Sequence, residues 1–249
     1  AGSLVAFSAN AVEVSVTGKT EITYAGSDET SGNKFGNGNA LTFSGSGDMN
    51  GYSATYTAVI QDGGGANSNT TETFASSSLM LDMGDMGTVG FDQGVGEFGA
   101  GTIDDKMPYA YEEIWTYTGA SNGLRAAGGT NVVGYKNTVA GYTLSVELDP
   151  GHTDNSTKGG SGDGGNTGAG TSASGYNWAL TGSPTDGVSI GLGYGTEEDT
   201  STAAANKQDS TYTTGFVTYA IGGATIGYQK SEGNGGTTGT NSLNVDIYG

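Results

Sequence analysis

Acidic side chains form clusters in a long insert, residues 94–130, which separates the alternating segments TVGFDQ and NVVGYKN. A ring of charged side chains in a narrow aqueous passage sets ionic selectivity, because the low-dielectric wall concentrates the electric field there. We predict that four acids of the insert form the acidic side of a pore constriction: Asp104, Asp105, Glu112 and Glu113.

The basic side of the same constriction is predicted at three residues. Arg125 belongs to the insert. Lys19 and Lys136 lie in alternating segments, on the polar face that we expect to line the lumen. Opposed acids and bases would create a transverse field that favours polar over apolar solutes. The alternative is that the acids are solvated loop surface or bind divalent cations there. Because the chain contains 26 acidic residues and only 8 basic ones, we expect the passage to prefer cations.

The insert itself is too long to be an ordinary connection. Loops of more than about 15 residues are uncommon in compact domains and are usually functional or disordered. The insert contains aromatic residues, which favour packing over disorder: Phe98, Tyr109, Tyr111, Trp115 and Tyr117. We predict that the insert folds into the lumen of a membrane β-barrel and narrows it.

The rest of the chain alternates apolar and polar residues, which places them on opposite faces of β-strands. The first such segment, VEVSVTGKTEITY, puts valine, isoleucine and tyrosine on one face and glutamate, lysine, serine and threonine on the other. Similar segments recur and predict about twelve strands. One face suits hydrocarbon and the other suits a wet lumen, as in a transmembrane antiparallel β-barrel. A soluble all-β sandwich with one wet face is the alternative.

The connections between these segments alternate between short and long. Short ones such as GDMNG, VAG and IGG alternate with long ones such as GSDETSGNKFGN and SEGNGGTTG. Short turns at one end and long loops at the other are typical of outer-membrane barrels, whose strand number is even. The sequence contains no apolar run of the 18 or more residues that a membrane-spanning helix needs.

Composition argues against several other functions. The net charge of −18 is unsuited to nucleic acid, whose phosphates require Lys and Arg. There is no cysteine, and the single histidine, His152, follows Pro150 in a loop, where we expect it to be a solvated residue and not the base of a hydrolase triad. We therefore expect no enzymatic activity, no catalytic residues and no cofactor. Acidic clusters in the loops could still hold Ca²⁺ through carboxylate oxygens: Asp28 with Glu29, and Glu197 and Glu198 with Asp199.

The first residues, AGSLVAFSANA, have an apolar stretch that ends in small residues of the A-x-A form read by signal peptidase. We predict that residues 1–11 are a signal-peptide remnant and that residues 12–249 form the barrel. The alternative is a mobile N-terminal arm.

The chain resembles the Gram-negative general porins, most closely those of alphaproteobacteria. The resemblance rests on SANA followed by VEVSVTGKTEITY, on MGDMGTVGFDQG at residues 83–94, which looks like the strand leading into the third porin loop, and on the long acidic loop. It implies a homotrimer in the bacterial outer membrane, surrounded by lipid and lipopolysaccharide, with the third loop folded inside each barrel. Porins of this type have about 16 strands. Because this chain ends at DIYG after about twelve, we expect it to be incomplete at its C-terminus. The alternative is a smaller barrel, for which the resemblance implies a trimer less strongly.

The predicted function is therefore a passive diffusion channel for small hydrophilic solutes and ions. The alternative is a structural or adhesive outer-membrane barrel whose acidic surface loops bind calcium. Such a barrel would need a lumen plugged by side chains, whereas the lumen-facing positions here include many Gly, Ser and Thr residues.

Overall fold

Twelve antiparallel β-strands make up nearly all of the regular structure in the described part of the chain. The computed structural model describes residues 13–24, 35–61, 73–103, 106, 130–150, 174–198, 209–234 and 247–248. These residues divide into two compact units, Ala1–Val95 and Gly96–Gly249. Across the described ranges, no helix combines the length and hydropathy that a bilayer crossing would require.

The first unit contains five strands, each paired antiparallel with its neighbours along the chain. A 3₁₀ turn at Gly84–Met86 lies between the last two. The strands are β1 Glu13–Tyr24, β2 Phe35–Met49, β3 Tyr52–Gln61, β4 Thr73–Asp82 and β5 Thr88–Gln93.

The second unit contains seven strands, again paired with their sequence neighbours. It also contains a 3₁₀ turn at Gly99–Ile103. The strands are β6 Thr130–Val139, β7 Tyr142–Asp149, β8 Gly175–Thr185, β9 Val188–Glu197, β10 Ser210–Ile221, β11 Ala224–Asn234 and β12 Ile247–Tyr248.

The short connections are tight hairpin turns, as predicted. Asn50 and Gly51 join β2 to β3 with φ values of 56° and 87°, and Ala140 and Gly141 join β6 to β7 with values of 53° and 82°. Two consecutive positive φ values are the mark of a type I′ turn, whose twist matches that of antiparallel strands. The hairpins therefore hold consecutive strands in fixed register.

The strands expose their apolar face and bury their polar face, which is the opposite of the arrangement in a water-soluble protein. On β7 the apolar Leu144 and Leu148 are 43% and 55% exposed, whereas Ser145 and Glu147, which alternate with them, are 2% and 9% exposed. The same inversion appears in the first unit on β4 and β5, where Leu79 and Phe91 are exposed whereas Ser78 and Asp92 are buried. Apolar side chains thus form an outward surface, and polar side chains line the covered face.

Several sequence predictions fall outside the described residues. These are the signal-peptide remnant at residues 1–11, the first residue of the predicted first strand, the loop around His152, and most of the insert beyond residue 103. The final predicted strand is described only at Ile247–Tyr248.

Candidate functional site

The beginning of the insert lies across the polar face of the second unit. Residues 96–103, which we call the loop arm, contain the 3₁₀ turn Gly99–Ile103. This turn contacts β7, β8 and β9. Since the arm covers the polar side chains of these strands, it accounts for their burial.

Two backbone amides of the loop arm are held by side chains of the strands. The Gly99 N–H donates to Ser145 Oγ at 2.8 Å, and the Ala100 N–H donates to Asn177 Oδ1 at 2.6 Å. Asn177 Nδ2 in turn donates to Glu147 Oε1 at 3.2 Å, across the β7–β8 pair. The carboxylate of Glu147 therefore orients the amide that holds the arm.

Another hydrogen bond holds the end of the turn against the strands. Gln229 Nε2 on β11 donates to the carbonyl oxygen of Ile103 at 3.0 Å. Gln229 is fully buried. Because a buried polar group without a partner costs about 1–3 kcal/mol, these hydrogen bonds define one position for the arm on the strands.

Apolar side chains of the arm fill the space between these hydrogen bonds. Phe98 and Ile103 have no exposed surface. Ile103 packs in one cluster with Ala179 of β8 and Phe216 of β10. This cluster lies on the otherwise polar face of the strands, so it serves the arm and not a core between two sheets.

Glycines on the strands make room for the arm. A Cβ atom built on Gly134 of β6 would lie 2.0 Å from Phe98 Cγ, and one on Gly193 of β9 would lie 3.0 Å from Ile103 Cδ1. Gly99 itself has a φ of 61° and would place a Cβ 1.8 Å from Asn177 Oδ1. The arm therefore approaches the strands more closely than larger residues would allow.

An ion pair adjoins the arm. Lys136 Nζ on β6 lies 3.0 Å from Glu97 Oε2 and also donates to the Glu97 carbonyl oxygen at 3.3 Å. The ammonium group lies 5.6 Å from the centroid of the Phe98 ring, within cation–π range. Both side chains remain about one-third exposed, so the pair faces open space beside the arm.

The predicted site residues are only partly described. Lys136 lies on the polar face, as its sequence parity predicts, and its Nζ pairs with Glu97. Lys19 lies in the first unit, on the face of β1 that carries Glu21, with its Nζ 3.9 Å from Glu21 Oε2. Five predicted residues lie outside the described ranges: Asp104, Asp105, Glu112, Glu113 and Arg125.

Sequence reasoning missed the residues that hold the arm. Glu97 lies in the insert but is not one of the four acids predicted at the constriction. Glu147 and Asn177 occupy polar-face positions of their strands, so alternation predicts their direction. It does not predict that Asn177 accepts from a residue 77 positions earlier in the chain. That signal exists only in the tertiary structure.

The calcium prediction remains open. Within the described ranges, no group of three or more His, Asp or Glu side chains could hold a metal ion. Glu197 Oε2 accepts from Tyr212 Oη at 3.4 Å, and Glu198 Oε2 accepts from Ser174 Oγ at 2.9 Å. Asp28, Glu29 and Asp199 lie outside those ranges.

Comparison with known proteins yields structural likeness without sequence likeness. No protein-family model and no curated protein sequence matches the chain. A mutant of the Rh. blastica porin is similar with a TM-score of 0.54 at 12% identity, covering 91% of this chain and 80% of that one. Salmonella typhi OmpF in complex with daunomycin gives a TM-score of 0.55 at 13% identity, covering 90% of this chain and 66% of OmpF. A second Rh. blastica porin mutant gives 0.50 at 12% identity.

These likenesses span most of the chain and concern the fold alone. They confirm the predicted fold class, an all-β antiparallel structure of the porin β-barrel type, and the resemblance to Gram-negative general porins at the level of fold. The soluble-sandwich alternative is thereby set aside.

Proposed function

We propose that this chain, which has the fold of the Gram-negative general porins, is an outer-membrane porin that lets small hydrophilic solutes and ions diffuse passively. The observation that carries the proposal is the inverted burial of the strands. Apolar side chains form the exposed surface and polar side chains the covered face. In a β-barrel this arrangement puts lipid outside and water inside.

The dimensions of the apolar surface support a membrane setting. On β1 the outward positions run from Val14 to Tyr24. At about 3.3 Å per residue they cover about 33 Å along the strand. With a tilt of about 40° this gives about 25 Å along the membrane normal, which is the height of the apolar band in outer-membrane barrels.

Aromatic residues mark both ends of this band. In the first unit, Tyr52 adjoins the hairpin turn after β2, and Tyr24 packs against Phe35 at the opposite end of the strands, with tilted rings and a centroid distance of 5.2 Å. In the second unit, Tyr142 adjoins the hairpin turn after β6. Aromatic rings are favoured at the two membrane–water interfaces, because they combine an apolar body with a polar or polarisable edge. Their placement supports a bilayer-spanning orientation of the strands.

The insert is proposed as the constriction of this channel. The loop arm already lies on the polar face of β7 to β9, held by Ser145 and Asn177. A segment anchored there reduces the open cross-section next to those strands. The acids that follow the arm in sequence, Asp104 and Asp105, would then project their charge into the narrowed passage.

We further propose a preference for cations. The chain carries 26 acids and 8 bases. One of the candidate lumen bases, Lys136, is paired with Glu97, which offsets its charge locally. A passage with an excess of carboxylates lowers the energy of cations within it and raises that of anions.

The homotrimer and the contact with lipopolysaccharide remain proposals that rest on the porin fold. Trimers would be recognised as conductance steps in groups of three and as a trimer mass in detergent. The alternative of an adhesive barrel predicts a folded and detergent-stable protein that conducts no current.

The test is the conductance of the purified protein in a planar bilayer with a salt gradient. The proposal predicts steady steps that scale with bulk conductivity and a reversal potential on the cation side. An anion-side potential would refute the cation preference. A folded barrel without any conductance would refute the channel.

A further inference from the structure

We infer that Gly134 of β6 and Gly193 of β9 set the width of the pore by letting the loop arm lie flat against the strands. The inference rests on the proposed function and adds to it the residues that fix the aperture. Neither glycine has a role in the sequence prediction of the constriction, which concerned charged residues only.

Gly134 forms a socket for Phe98. A Cβ at this position would meet three side-chain atoms of Phe98, with distances of 2.0 Å to Cγ, 2.3 Å to Cδ2 and 2.6 Å to Cβ. Carbon atoms in ordinary contact lie about 3.5–4.0 Å apart. Even alanine at position 134 would therefore require the Phe98 ring to move by about 1.5 Å or more.

The ring has little freedom to make that movement within its seat. Phe98 is fully buried, and the neighbouring Gly99 is tied through its N–H to Ser145 at 2.8 Å. Lys136 lies over the ring at 5.6 Å. Since the ring already occupies the place of a Cβ on Gly134, relief of the clash requires the ring and the arm to move away from the polar face.

Gly193 makes a second and looser contact of the same kind. A Cβ there would lie 3.0 Å from Ile103 Cδ1 and 2.9 Å from Thr214 Cγ2. These distances demand a smaller adjustment than those at Gly134. Two glycines on different strands thus support the two ends of the arm, Phe98 and Ile103.

The consequence concerns solute size. An arm that lies close to the strands leaves the largest open cross-section beside it, and each displacement away from them takes space from the passage. Permeation through a narrow pore is more sensitive to its width when the solute is larger. The glycines are therefore positioning residues that determine the exclusion limit.

The experiment compares Gly134→Ala and Gly193→Ala with the unmodified chain in planar bilayers and in liposome swelling with a monosaccharide, a disaccharide and a trisaccharide. The expected result is a lower unit conductance, a loss of permeation that grows with sugar size, and a stronger effect at position 134 than at 193. Gly38→Ala is the matched control, because it substitutes a strand glycine with nothing within 4 Å of the added Cβ.

A double substitution separates the socket from general damage to the strands. The three atoms nearest to a Cβ at position 134 all belong to the Phe98 side chain, so Phe98→Gly removes the closest clashes. Gly134→Ala should then have no further effect on conductance when added to Phe98→Gly. Unfolding of Gly134→Ala is checked by heat-modified gel mobility, and Gly193→Ala supplies the test if that variant does not fold.

The possible failures are distinguishable. No conductance from the folded, unmodified chain would refute the proposed function itself. If the unmodified chain conducts, then unchanged or increased conductance and sugar permeation in both glycine variants would overturn the inference. So would an equal loss in Gly134→Ala with and without Phe98→Gly.

Discussion

The hydrogen bonds of Asn177 offer the sharpest test of how the loop arm is held. In Asn177→Ala, the Ala100 N–H loses its acceptor at 2.6 Å and Glu147 Oε1 loses a donor at 3.2 Å. Asn177 is only 2% exposed, so water has little access to replace it in the docked state. A buried donor without an acceptor costs about 1–3 kcal/mol.

This cost falls on the docked state and not on the barrel as a whole, because an arm that leaves the strands can hydrate its amides. Opening of the arm should therefore become easier by about 1–3 kcal/mol, which corresponds to an increase of about 5- to 150-fold in the open population. Hydrogen exchange at the Ala100 amide should accelerate by that factor while exchange in the strand cores stays unchanged.

The assay is hydrogen exchange with mass spectrometry on the peptide that covers residues 96–103, in detergent-solubilised protein. Asn137→Ala is the matched control. It removes an asparagine of the same unit, but the Nδ2 of Asn137 donates to Tyr135 Oη on the outward face and not to the arm. Equal exchange of the arm in both variants would refute the reasoning, because the arm would then not depend on Asn177.

Three further outcomes follow from the same structure. Glu97→Gln should shift the reversal potential toward anion preference, because the charge of Lys136 is then no longer offset. Lys136→Met should shift it toward cation preference. The absence of opposite shifts in salt-gradient recordings would contradict an electrostatic role for the pair. Leu192→Arg on the outward face should destabilise the membrane-inserted protein by about 2–4 kcal/mol, while Thr143→Arg on the polar face should be tolerated, as measured by urea unfolding in lipid vesicles; equal effects would argue against a lipid-facing surface. Gln229→Leu should loosen the end of the arm and raise current noise, and quiet recordings identical to those of the unmodified channel would count against that fastening.

Alternation predicted the direction of the side chains on the strands whose sequence shows it. On β7 the sequence YTLSVELD places leucine and valine opposite serine and glutamate, and the structure exposes Leu144 and Leu148 while it covers Ser145 and Glu147. The reason is that side-chain direction in a strand depends only on parity. The turn between β2 and β3 was equally predictable, since an Asn-Gly pair fits a tight hairpin. The turn at Ala140 and Gly141 was predictable only from its short length, because alanine rarely adopts a positive φ.

The position of the loop arm on the strands could not be predicted in the same way. Gln229 bonds to Ile103 across 126 positions of sequence, and no local pattern encodes that contact. Lumen-facing glycines were predicted in general to leave open space, whereas Gly134 and Gly193 lie directly against buried side chains of the arm. Lys136 was placed on the correct face by parity, but its pairing with Glu97 depends on where the arm lies.

The central claim is that the polar face lines a water-filled channel while the apolar face meets lipid. Because the chain contains no cysteine, single cysteines can be introduced and their reactivity assigned without background. Thr143→Cys and Leu144→Cys are neighbours on β7 that point to opposite faces. In bilayers, a membrane-impermeant, positively charged thiol reagent should reduce the current through Thr143→Cys and leave Leu144→Cys unchanged. Modification of Leu144→Cys with loss of current, and no effect at Thr143→Cys, would contradict the account.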